Sequence, residues 1–244
     1  MTVSSSTGCP PTPNDPQRRS RKAEETLPSS FSPLPMNEPW AGVPPDDYER
    51  HMAHPSVAQT ALLASIVRSQ LAEHRPASLV YFGIATGNGL EHVDPSRTHR
   101  VTGIDINERF LEVCRTRFGS RGYVLELLNA DLNRTPVSLP AADLFIANLF
   151  LEYVPVERIL PLVTEFGNPG AVLSTVIQEN NGAPFVSRTG VESLAPLEAV
   201  HRDVSIADLN DTMLRNRFTV VRTSLHPAPG GKTFRRTDYR MEER

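Results

Sequence analysis

Two hydrophobic patterns alternate along most of this chain. Short unbroken apolar runs predict strands buried on both faces, and they fall at Ser78–Phe82, Arg100–Ile106, Tyr123–Leu128, Ala142–Ala147 and Ala171–Gln178. Between them, apolar residues recur at helical spacing. Val57, Ala61, Leu62, Ile66, Val67 and Leu71 mark a helix over Ser56–Arg75, and Phe110, Leu111, Cys114 and Phe118 mark another. A helix is expected to begin at Gly87–Val93, a further one runs from Pro155 through Phe166, and a last one leads toward Asn216. The chain closes with two strand-like runs, Phe218–His226 and Lys232–Met241, around the turn PAPGG, which reads as a β-hairpin.

Local chemistry sharpens the boundaries. Ser56 and Gln59 form an S-x-x-Q capping box, Asn107 is placed to cap the helix after it, and Ser205 with Asp208 offers a second box. Pro155 suits a first helical turn, whereas Pro161 is expected to kink or split its helix. Asn180–Pro196 has weak periodicity and reads as an insertion or substrate loop. Alternation of this kind predicts an α/β fold: a doubly wound, mostly parallel seven-stranded sheet with an antiparallel C-terminal hairpin, in three α/β/α layers.

Composition changes this picture at one end. Ten of the 22 prolines precede Asp46, alongside serine clusters and the basic run Arg18–Lys22, so residues 1–37 read as a disordered tail. Residues 38–76 then form an N-terminal lid and helix, and residues 77–244 the core. The basic run is either a solvated patch or a docking contact. A net charge of −3 argues against a dedicated nucleic-acid or membrane-surface binder. No apolar run approaches the ~20 residues of a membrane span, and the N-terminus lacks an apolar signal region. Two cysteines, Cys9 and Cys114, have neither metal-ligand nor disulfide spacing, which suits a reducing, cytoplasmic setting. No pattern sets an oligomeric state.

Candidate chemistry gathers where the first strand breaks into glycines, SLVYFGIATGNGLEHV at Ser78–Val93. Glycines after strand one let a backbone turn tightly and approach a ligand. A dinucleotide site wants G-x-G-x-x-G, and Gly83-x-Ala85-x-Gly87-x-Gly89 matches it in neither phase. The stretch instead resembles the first motif of class I S-adenosylmethionine-dependent methyltransferases. VTGIDIN (Val101–Asn107), LLNADLN (Leu127–Asn133) and ADLFIANLFLEYV (Ala142–Val154) resemble the second to fourth motifs, each at a predicted strand end.

The resemblance implies S-adenosyl-L-methionine as cofactor. It implies a turn of Gly83, Ala85, Thr86 and Gly87, with Asp105 and Ile106 at the ribose. Asp131 and Leu132 would meet the adenine, Asn148 the methionine end, and Tyr48 would lie over the cofactor. Two positions depart from the pattern. Tyr81 stands where the family has an acid, and Ala85 replaces the middle glycine, which demands an ordinary backbone φ there.

The implied reaction is in-line methyl transfer, in which the enzyme aligns the reactants and a general base serves only acceptors that hold their proton. Catalytic candidates are Glu152 and Tyr153 beyond strand four, and His54 in the lid; His51 and Met52 are further lid residues. Asn148 is followed by Leu149–Phe150 rather than by the prolines of amino-directed DNA methyltransferases, no cysteine follows strand four, and no metal set is evident. The leading reading is a methyltransferase acting on a small-molecule acceptor. The alternatives are an RNA or protein methyltransferase recruited through the basic tail, and a non-catalytic nucleotide-binding module of the same fold.

Overall fold

The computed structural model describes residues 39–242; the tail expected over residues 1–37, with its basic run and Cys9, lies outside them. Strands β1 (Ser78–Phe82), β2 (Arg100–Asp105), β3 (Val124–Asn129), β4 (Ala142–Asn148), β5 (Gly167–Glu179), β6 (Phe218–Pro227) and β7 (Thr233–Met241) form one sheet in the order β3-β2-β1-β4-β5-β7-β6. Pairing is parallel from β3 across to β5, whereas β7 runs antiparallel to both β5 and β6. The seven strands and the antiparallel hairpin are as the sequence predicts. The strand order reverses between β1 and β4, so a crevice opens beyond their carboxyl ends.

Strand alternation divides the core into two layers. Val80, Phe82, Phe145 and Ala147 face helices α5 (Val156–Phe166) and α6 (Ile206–Arg215), through Ile159, Val163, Leu209 and Met213. Leu79, Tyr81, Leu144 and Ile146 face α3 (Gln59–His74) and α4 (Glu108–Phe118), through Val67, Leu71, Leu111, Cys114 and Phe118. Burial of each such large apolar side chain contributes about 1.5–3 kcal/mol. Two short helices, α1 (Pro39–Gly42) and α2 (Pro45–Ala53), open the described residues. No helix among the described residues is long and apolar enough to cross a membrane.

Four local expectations change. Gly87–Val93 does not begin an α-helix; it makes a turn and one 3-10 turn at Leu90–His92, because Gly87 and Gly89 both hold positive φ (89° and 95°). The Ser56–Gln59 capping box does not form. The chain enters α3 through Ala58 in the left-handed region, Ser56 bonds His54 instead (2.8 Å), and the Gln59 amide is spent on Gln178 (3.0 Å). Pro161 does not split α5, since it and Glu157, whose carbonyl it leaves without an N–H, both lie on the exposed face where water can serve. Ala85 has a φ of 47°, so the ordinary conformation expected there is wrong. The other two helix signals act as written: Asn107 accepts from the Arg109 and Phe110 N–H groups, and Ser205 accepts from the Asp208 N–H.

A buried polar chain ties α3 to the sheet. Asn148 and Gln70 exchange amide hydrogen bonds (2.9 and 3.1 Å), Gln70 donates to Ser174 (2.7 Å), and Ser174 donates to Asp238 (2.5 Å). Asp238 also meets the fully buried Arg236 and His74. Burial opposes its ionisation, but hydrogen bonds from His74, Arg236 and Ser174 outweigh it and hold its pKa down at about 2.

Candidate active site

Beyond the carboxyl ends of β1 to β5 lies a cavity of about 1140 Å³, its open mouth included. Its floor is made of strand ends. Gly83 follows β1, Asp105 closes β2, Asp131 follows β3, Asn148 closes β4 and Gln178 lies at the end of β5. A single cavity thus touches five neighbouring strands, where an open α/β sheet places its ligands.

The turn after β1 owes its shape to several forces. Gly83 has a φ of 66°, and a Cβ there would fall 2.6 Å from the Phe150 ring. A Cβ on Gly87 would meet Phe118 and Cys114 of α4, and one on Gly89 would meet Val67 of α3, each inside 3.0 Å. The later two glycines therefore serve helix packing, and Gly83 with Ala85 makes the cavity wall. The left-handed Ala85 is held by its N–H, which donates to Asp105 Oδ2 (2.9 Å).

Asp105 accepts from Ala85 through Oδ2 and from the Asn107 N–H through Oδ1 (2.9 Å), which leaves each oxygen a further lone pair toward the cavity. Burial raises its pKa to about 6 against the opposing pull of the Asn107, Ala85 and Ile106 N–H groups. Asp131 accepts from the Asn133 N–H (2.9 Å) and faces Arg134 at 3.4 Å. No hydrogen bond among the described residues uses the Leu132 N–H beside it. The Asn148 amide is turned to Gln70 and lies 3.5 Å from the Tyr81 hydroxyl, so the tyrosine at the family's acid position joins the polar chain behind the cavity. Leu149, directly after Asn148, is left-handed (φ 51°) and held by a bond to the Val176 carbonyl (2.8 Å).

The roof comes from α1, α2 and the segment after β5. Asn107, while capping α4, donates to the Trp40 and Val43 carbonyls (both 2.8 Å), so one side chain fixes a helix start and the lid. Glu49 of α2 pairs with Arg117 of α4. Asp47 accepts from Ser193 (2.6 Å), and His51 meets the Thr189 hydroxyl (2.8 Å). Trp40, Tyr153 and Phe185 form an edge-to-face aromatic wall, with centroids 5.1 and 5.9 Å apart.

Of the residues singled out in the sequence, Gly83, Ala85, Asp105, Ile106, Asp131, Leu132, Asn148, Tyr48 and Tyr153 line this one cavity. Thr86 and Gly87 do not line it; Thr86 is buried and Gly87 packs against Phe118 and Cys114. Glu152 is buried outside it: Oε1 accepts from the Gln178 N–H (2.8 Å), Oε2 has no partner among the described residues, and burial raises its pKa to about 7. His54 lies off the cavity against Ser56, and His51 is the lid histidine that lines it. Trp40, Gln59, Phe110, Gln178 and Phe185 also line it without having been candidates. Gln178 could have been found from its place at a strand end; the Gln59–Gln178 pair spans 119 positions and leaves no local trace.

A turn at β1, a carboxylate at the end of β2 and polar groups after β3 and β4 meet at the ligand crevice of a Rossmann-like fold. Residues 80–168 match a family model described as a methyltransferase domain. No curated protein matches the chain by sequence. Among solved structures it is similar to magnesium protoporphyrin IX methyltransferase from Synechocystis PCC 6803 with bound S-adenosylmethionine, with a TM-score of 0.59 and 13% identity over 81% of this chain and 90% of that one. It is also similar to the N-methyltransferase NodS from Bradyrhizobium japonicum WM9 in complex with S-adenosyl-L-homocysteine (TM-score 0.56, 15% identity, 81% and 98% covered). A third is an S-adenosylmethionine-dependent methyltransferase from Clostridium acetobutylicum ATCC 824 (0.60, 11%, 81% and 98%). Residues 80–168 thus match a methyltransferase domain, and the fold is that of S-adenosylmethionine-dependent methyltransferases.

Proposed function

We propose that this protein transfers a methyl group from S-adenosyl-L-methionine to a small-molecule acceptor in the cavity at the strand ends. The observation that carries the reading is the convergence of Gly83, Asp105, Asp131 and Asn148 on that one cavity. The residues fit the cofactor chemically. Asp105 has spare lone pairs for two ribose hydroxyls, Asp131 with the free Leu132 N–H offers an acceptor and a donor for adenine, and Gly83 admits a ligand close to backbone. When bound, the cofactor's sulfonium supplies a methyl already activated for displacement. The chain's own share is alignment and exclusion of water, through the roof that Asn107, Glu49 and Asp47 fasten down.

A small acceptor is favoured over a macromolecule because α1, α2 and the segment after β5 close the cavity from above. Incubating the full chain and methyl-labelled cofactor with separate small-molecule, RNA and protein fractions tests this. Label is expected in the small-molecule fraction; label confined to RNA or protein contradicts the reading.

A further inference from the structure

The cavity has two chemically distinct ends. Asp105, Asp131 and Phe110 surround the half proposed for adenosine, while the half toward β5 is framed by His51, Gln59, Gln178 and Ser187, with Trp40, Tyr153 and Phe185 as aromatic walls. The titratable side chains lining the cavity are Tyr48, His51, Asp105, Asp131 and Tyr153. The two tyrosines have their phenols pushed upward by burial and so stay protonated. The two aspartates belong to the adenosine half, and each already holds a backbone N–H.

That leaves His51. Only 6% of it is exposed, its Nδ1 meets the Thr189 hydroxyl at 2.8 Å, and its Nε2 has no hydrogen-bond partner among the described residues. Thr189 fixes the ring through one nitrogen and leaves the other to the cavity. The surroundings favour the neutral ring: burial lowers its pKa first, then the Lys232 ammonium just before β7, then His54 at the end of α2. Lys232 is itself buried and held by the Phe185 carbonyl (2.6 Å) and the Ser187 hydroxyl (3.0 Å), so its charge is fixed beside this half of the cavity.

We propose that His51 is the catalytic base, and that it serves a hydroxyl group carried by a planar, aromatic acceptor packed against the wall of Trp40, Tyr153 and Phe185. This rests on the methyltransferase reading. As the acceptor oxygen forms its bond to the methyl carbon, its O–H proton passes to His51 Nε2, and the carbon–sulfur electron pair stays on sulfur. The imidazolium then returns its proton to water. A hydroxyl needs such a base because it is a weak nucleophile while protonated; an amine attacks through its own lone pair and sheds its proton afterwards. The aromatic walls suit a ring that packs edge-on or offset against them.

Two readouts test this on the full chain. Nitrogen-15 histidine spectra are expected to show His51 neutral at pH 7 with its proton on Nδ1; a proton on Nε2 overturns the proposal whatever the activity. The second uses labelled cofactor and a panel of mono- and dihydroxybenzenes. His51→Asn keeps an amide where Nδ1 bonds Thr189 but removes Nε2. It is expected to bind cofactor within about twofold of the parent and to lose ~10²–10⁴-fold in rate at pH 7. The loss should shrink as pH rises toward the phenol's own ionisation. A rate within threefold of the parent, or an equal loss at every pH, overturns the base. Transfer to no phenol by a protein that binds cofactor overturns the acceptor class, while failure to bind cofactor at all counts against the methyltransferase reading instead.

Discussion

Ala85 and Gly83 show how one turn divides its demands. Ala85 occupies the left-handed region at a cost of about 1 kcal/mol, tolerated because its N–H is locked onto Asp105. Gly83 has no such latitude, since its positive φ coincides with the Phe150 ring 2.6 Å from a Cβ. Gly83→Ala is therefore expected to lower stability by ~1–3 kcal/mol and to displace Phe150 into the cavity wall. Denaturant unfolding measures the loss; an unchanged midpoint contradicts the packing described. The glycine pattern was legible in the sequence, but its division of labour was not. Gly87 and Gly89 answer to Phe118 and Val67, one downstream and one upstream, and only the folded chain brings these together.

At the scale of elements, the exits of β4 and β5 are coupled through Glu152. Its Oε1 holds the Gln178 N–H, and its Oε2 is buried without a partner. Burial lifts its pKa from 4.5 to about 7. The unfolded chain ionises near pH 4.5 while the folded chain resists until about 7, so this group's contribution is most favourable below pH 4.5 and is lost as pH rises through 7. Glu152→Gln should raise stability by ~1–3 kcal/mol at pH 8, with the gain vanishing as pH falls below 4.5, toward about pH 4. Thermal melts at the two pH values check it; a gain independent of pH contradicts the assignment. Element types were readable where periodicity and caps agree, as in α4 with Asn107. They failed at Gly87–Val93, where helix-like spacing carried no backbone able to follow it, and at Ser56, where a local bond to His54 and a tertiary bond from Gln59 to Gln178 took the two members of the capping box.

For the whole molecule, strand order and lid place the chemistry. Asp105, Asp131 and Asn148 were singled out by the resemblance of their motifs, each at a predicted strand end, and the doubly wound topology brings them to one cavity. The acceptor half was only partly legible. Asn180–Pro196 stood out as an insertion or substrate loop, but which of its residues reach the cavity depends on Lys232 and Thr189 anchoring it to β7 and α2. The same anchoring selects His51 over His54, three positions apart on one short helix end.

The central claim is that the cavity at the strand ends holds S-adenosyl-L-methionine through Asp105. Calorimetric titration of the full chain with the cofactor is expected to show one site, and Asp105→Ala to weaken it by ~1.5–3 kcal/mol, roughly tenfold to 150-fold. No binding at millimolar cofactor, or an affinity unchanged by Asp105→Ala, would contradict it.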